Sequence, residues 1–139
     1  MADSIVNKVA SSPLVTVDLE DYKTTGTRTA IDMANWLEEG FILREKSFRA
    51  FLKEHDWSQY SDQHIALHCS SDAILPAWAT LLITAYLSPF ATTIILGSVK
   101  DLEKELFSTA INDLDLGPFQ DKPIMIKGCS DPSVPEGAY

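Results

Sequence analysis

Three short apolar runs separated by two helical stretches constrain this chain most. The runs are His64-Ile65-Ala66-Leu67-His68-Cys69, Thr92-Thr93-Ile94-Ile95-Leu96 and Pro123-Ile124-Met125-Ile126-Lys127. None alternates cleanly between apolar and polar residues, which is the pattern of strands covered on both faces. Between the first two, Pro76 to Leu87 carries Trp78, Leu81, Leu82, Ile83, Tyr86 and Leu87, apolar nearly all round, as a buried helix would be. Pro76 is expected at its first position, where a missing N–H costs nothing. Between the second and third runs, Val99, Leu102, Leu106, Ala110 and Leu114 recur at helical spacing behind a Ser98/Asp101 capping-box pattern. A β-α-β-α-β succession predicts parallel strands joined by right-handed crossovers, hence an α/β fold with a mostly parallel sheet.

Upstream, Leu14 to Leu19 reads as a strand and Lys23-Thr24-Thr25-Gly26 as a turn. Arg28 to Ile31 is expected to return as the second arm of an N-terminal antiparallel hairpin. Short helices are expected at Ser4–Ala10 and at Met33–Glu39, the second with Asp32 as N-cap and Gly40 as terminator. Phe48, Phe51, Leu52 and His55 share one face of a helix from Arg44 to Glu54, with Glu45 and Arg49 paired on the wet side. From Gly128 to Tyr139 the chain reads as an extended tail stiffened by Pro132 and Pro135. Its end is either frayed or packed back over the strand ends through Val134 and Tyr139.

At 139 residues the chain suits one domain, 1–139, against roughly 150 residues per domain. Twenty acidic against 11 basic residues give a net charge of −9, which repels phosphate backbones and anionic lipid. Nucleic-acid and membrane roles are therefore not expected. The uncharged stretch Ala73–Val99 is broken by Pro76 and Ser88-Pro89, and its apolar part falls short of the ~20 residues a span needs. Met1-Ala2-Asp3-Ser4 lacks the cationic start of a secretory signal, so the expected compartment is the cytoplasm, where two cysteines default to thiols.

Those cysteines carry the functional reading. Each of two segments has an aromatic residue, an Asp two later, an apolar strand and then Cys-Ser with a following Asp. One runs Tyr60 to Asp72 and the other Phe119 to Asp131, with Gly128 as an extra residue in the second. Parallel sheets bind ligands beyond the carboxyl ends of their strands, where Cys69 and Cys129 both fall. If their strands pair directly, ~4.8 Å apart, the thiols share a ligand; with the Ile94 strand between them the gap of ~10 Å is too wide for one ion. The leading reading is an accessory protein that binds a metal ion or a sulfur-bearing partner. Cys69, Cys129 and His68 are its candidate ligands, supported by Ser70, Asp72, Ser130 and Asp131. Thiolate and imidazole suit zinc or iron, and a tetrahedral site needs four ligands, which a homodimer would complete across a two-fold axis.

The alternative is a non-enzymatic interaction module whose acidic surface or tail docks a protein partner, the cysteines being structural. A thiol enzyme ranks below both. No Arg follows either cysteine at phosphate-loop spacing, and G-x-x-x-x-G-K, G-x-G-x-x-G and G-x-S-x-G are all missing. His64 reads as a surface residue at the start of its strand and His55 as a structural one. On a strand, His64 and His68 lie ~13 Å apart and cannot chelate together.

The chain also resembles a small bacterial family catalogued as a domain of unknown function. The resemblance rests on Ile5-Val6-Asn7, Val17-Asp18-Leu19-Glu20-Asp21-Tyr22, Glu39-Gly40, Leu43-Arg44-Glu45-Lys46 and His55-Asp56-Trp57-Ser58. It continues through Cys69-Ser70, Asp72-Ala73-Ile74, Pro76, Trp78, Lys127-Gly128-Cys129-Ser130 and Ala138-Tyr139. It implies no activity. What it does imply is a gene neighbourhood near iron–sulfur assembly factors, which accords with thiols at strand ends.

Overall fold

The computed structural model of the chain describes residues 13–128 and 130–139. The helix expected at Ser4–Ala10 and the thiol of Cys129 lie outside the described residues. The regular elements are β1 (Val15–Asp18), β2 (Arg28–Asp32), α1 (Glu45–Glu54), β3 (His64–His68), α2 (Ala77–Leu87), β4 (Thr93–Leu96), α3 (Val99–Asn112) and β5 (Ile124–Lys127). The fold is mixed α/β, and every strand pair is parallel. Two compact units form. One is Thr25–Glu105, and the other takes the chain up to Thr24 and from Leu106 onward.

In the Thr25–Glu105 unit the strand order is β2-β3-β4. Ile65, Ala66 and Leu67 are all buried, because β3 has a neighbour on each edge and cover on both faces. Helix α1 buries Phe48 and Leu52, four residues apart, while α2 buries Ala79, Ile83 and Leu87 at the same spacing. These side chains join Ile31, Met33, Trp57, Ile65 and Leu67 in one core. Beside it, Trp57 stacks on Tyr86 at 5.4 Å and meets Trp36 at 5.5 Å and His55 at 4.7 Å. The His55 ring lies 2.9 Å from the Tyr60 hydroxyl, a structural part as expected. Arg49 pairs with Glu45 at 3.0 Å and also lies over the Trp78 ring.

The other unit holds a two-stranded sheet, β1 with β5, in which Val15 faces Ile124 and Asp18 faces Lys127. Its core is small: Val17, Leu19, Phe107 and Val134, with Tyr22, Ile111, Phe119 and Ala138 packed around them. Val134 anchors the tail, which ends in a 3-10 turn at Glu136–Ala138. The packed-back alternative therefore describes the tail, though Tyr139 itself stays exposed.

Four expectations need correction. The N-terminal antiparallel hairpin does not form: β1 pairs with β5 and β2 with β3, both in parallel. The Asp18 side chain accepts a hydrogen bond from Glu20 N and starts a 3-10 turn at Leu19–Tyr22, which ends β1 and diverts the chain from a tight return. The C-terminal β-α-β-α-β succession forms one sheet only as far as β4, since β5 joins β1 instead. The helix expected over Met33–Glu39 closes after one 3-10 turn, Met33–Trp36, although Asp32 does cap it. His64 is 4% exposed, not a surface residue. Its Nε2 is 2.9 Å from the Thr25 carbonyl, which only accepts, so Nε2 donates. Nδ1, 2.9 Å from the Thr93 hydroxyl, then accepts from it.

Candidate functional site

Parallel strands send all their carboxyl ends to one rim, and in the Thr25–Glu105 unit that rim collects Asp32, His68 with Cys69, and Leu96. Asp32 braces it. Its Oδ1 accepts from Ala34 N at 3.0 Å and from Ser70 N at 3.0 Å, tying the segment after β2 to the segment after β3. Partial burial pushes the Asp32 carboxyl up, but the Ser70 and Ala34 hydrogen bonds and the nearby His68 ring outweigh it and hold the group below its ordinary value. A lowered carboxyl contributes stability above its unfolded pKa and loses it as pH falls through the folded value. Asp32→Asn, which keeps an acceptor oxygen without the charge, should therefore flatten the loss of stability below about pH 4. Asp32→Ala should cost about 0.5–2 kcal/mol as a lost cap. Urea midpoints at pH 7 and pH 3 check both.

Beyond this brace lies an open cavity of about 610 Å³ lined by Phe41, Ile42, Leu43, Ser71, Asp72, Ala73 and Ile74. One wall is a tight loop closed by the Glu38–Ile42 bridge, with Glu38 N donating to Ile42 O at 2.7 Å and Ile42 N to Glu38 O at 3.0 Å. Glu39 and Gly40 both take positive φ, 54° and 81°, so Gly40 serves this loop and not the end of the helix expected before it. The loop holds Phe41 outward, 53% exposed. The β3–α2 connection also lines the cavity, and there Ile74 stands 95% exposed. Asp72 makes no ion pair among the described residues.

The sequence-derived site residues distribute as follows. Cys69 is half-buried, packs against the core cluster, and has Sγ 3.4 Å from the Ser71 hydroxyl. His68 sits opposite Asp32 in the strand register. Ser70 is held by Asp32, and Asp72 lines the cavity. In the other unit, Ser130 donates to Glu20 at 2.5 Å. Asp131 accepts from Ser133 N and Oγ at 2.8 and 2.7 Å and lies 3.8 Å from Lys23. The Ser133 bonds chiefly hold the Asp131 carboxyl below its ordinary value. Strands β3 and β5 do not pair, as β3 is flanked by β2 and β4. Among the described residues no group of three His, Cys, Asp or Glu side chains could hold a metal ion. None of their helices is long and apolar enough to cross a membrane.

Neither Phe41 nor Ile74 is among the site residues derived from the sequence. Both were legible as apolar residues outside any periodic run, one just after the Glu39-Gly40 turn and one in the segment between Asp72 and Pro76. No curated protein and no solved structure matches the chain. A family model matches residues 3–139, nearly the full length, and this chain belongs to the family described as "Protein of unknown function (DUF2480)".

Proposed function

We propose that the chain is a non-enzymatic docking module whose cavity at the rim of β2 and β3 takes a segment of a protein partner, with Cys69 structural. The observation that carries this reading is the pair of exposed apolar side chains, Phe41 and Ile74, that both line one open cavity. Exposed apolar surface rimmed by polar groups marks interaction sites. The Glu38–Ile42 bridge fixes Phe41 before binding, which lowers the ordering cost of complex formation. Asp72, which makes no ion pair among the described residues, and the net charge of −9 favour a partner segment with an apolar residue flanked by Lys or Arg.

Panning a displayed peptide library on the purified chain tests this. Apolar-basic peptides should emerge, bind more weakly as salt rises, and lose at least tenfold in affinity with Phe41→Asp or Ile74→Asp. Enrichment of acidic peptides, or binding indifferent to both substitutions, would end the proposal.

One observation supports a second reading, a metal or sulfur-bearing partner linked to iron–sulfur assembly. Each cysteine follows the carboxyl end of its strand in the chain, Cys69 directly after β3 and Cys129 after β5 and Gly128, although β3 and β5 belong to different sheets. Stoichiometric zinc or iron in untagged protein, lost in the Cys69→Ser/Cys129→Ser double variant, would favour it. Metal-free protein with slow thiols would favour docking.

A further inference from the structure

Parallel strands are ordinarily covered on both faces, yet β5 is not. Ile124, Met125 and Ile126 are 44%, 39% and 49% exposed. Because successive side chains alternate across a strand, apolar surface is open on both of its faces. The register fixes which backbone groups β1 uses. Val15 faces Ile124, and Val15 N donates to Pro123 O at 2.9 Å. In a parallel ladder this turns the backbone groups of Pro123, Met125 and Lys127 toward β1 and those of Ile124 and Ile126 away from it. Among the described residues, β5 pairs only with β1.

We propose that β5 pairs antiparallel with β5 of a second copy of this chain, about a two-fold axis at Met125. The outward N–H and C=O groups of Ile124 then bond those of Ile126 of the partner subunit, and the reverse, closing four hydrogen bonds. An isologous interface must be self-complementary, and Ile124-Met125-Ile126 is palindromic about its centre. On one face Ile124 meets the partner's Ile126. There Ile124 also borders an apolar groove of about 400 Å³ with Leu116 and Phe119, so the added side chain extends existing apolar cover. On the other face Met125 meets its own copy. An apolar edge of this kind invites strand addition, and a symmetric partner blocks further growth.

Sedimentation equilibrium across a hundredfold concentration range reads the proposal. The mass should rise toward twice the 15.4 kDa of the chain. Association should strengthen with salt, since two copies at −9 repel, whereas docking of a basic segment at the cavity weakens. Met125→Arg sets two like charges face to face on the axis and should weaken the dimer at least tenfold while leaving the circular dichroism unchanged. In a Cys69→Ser/Cys129→Ser background, Met125→Cys should form an intermolecular disulfide on mild oxidation, because directly opposed residues with Cα atoms about 4.5 Å apart fall within bridging range. A monomer throughout, a dimer indifferent to Met125→Arg, or a Met125→Cys protein that stays uncrosslinked would each overturn it. Phe41→Asp and Ile74→Asp should leave the dimer intact, which separates this result from the fate of the docking cavity.

Discussion

Replacing Phe107 by alanine is expected to cost about 3–5 kcal/mol, the usual range for truncating a buried phenylalanine. Phe107 is 1% exposed and is the largest of the four buried side chains in its cluster, the others being Val17, Leu19 and Val134. So small a cluster has few neighbours able to collapse into the space, which places the loss toward the upper end. Against a typical total of about 5–15 kcal/mol, this approaches full unfolding of the β1–β5 unit. Hydrogen exchange gives the measurement: the amides of Val17 and Met125 should lose protection in Phe107→Ala. Unchanged protection would mean that β1 and β5 do not depend on this cluster. The charged contacts of the unit, Lys127 with Asp18 and Lys23 with Asp131, are half-exposed and should add under about 1 kcal/mol each.

Trp57→Ala should be as damaging, at about 3–5 kcal/mol, for a reason with two separable parts. The ring packs among Trp36, His55 and Tyr86. The indole Nε1 donates to Leu52 O at 2.7 Å. Leu52 lies in the last turn of α1, where carbonyls lack intrahelical partners, so the indole satisfies a group the helix cannot. Trp57→Phe keeps much of the ring contact and leaves that carbonyl unpaired, which should cost about 1–3 kcal/mol. Urea denaturation followed by circular dichroism separates the two variants. Equal losses would show that the hydrogen bond, not the packing, holds the end of α1.

Parallel pairing was legible because Ile65-Ala66-Leu67 and Thr93-Ile94-Ile95-Leu96 are apolar without alternation, and a strand hidden on both sides has no reason to alternate. Asp32 was legible as a cap, since an acceptor side chain before a new turn has one local use. Its second bond, to Ser70 N, was not, because that partner arrives only through the β2–β3 register. His64 was misread for the same reason: Thr25 and Thr93, which satisfy its ring, come from distant segments. The partner of β5 was hidden too. A four-residue strand has no periodicity that distinguishes β4 from β1 as its neighbour, and the choice falls to tertiary packing such as the cluster that Val17 and Leu19 form with Phe107 and Val134. At the rim, Cys69, Ser70 and Asp72 were found from chain order alone, whereas the cavity walls depended on a loop conformation set by two successive positive φ angles.

All three tryptophans, Trp36, Trp57 and Trp78, fall between Thr25 and Glu105. Intrinsic indole emission is thus an optical gauge of that unit, and the β1–β5 unit is dark at the same wavelengths apart from its tyrosines. A tryptophan placed at exposed Leu116 would add emission from the otherwise dark unit, and the difference from the unaltered chain would follow that half of the molecule.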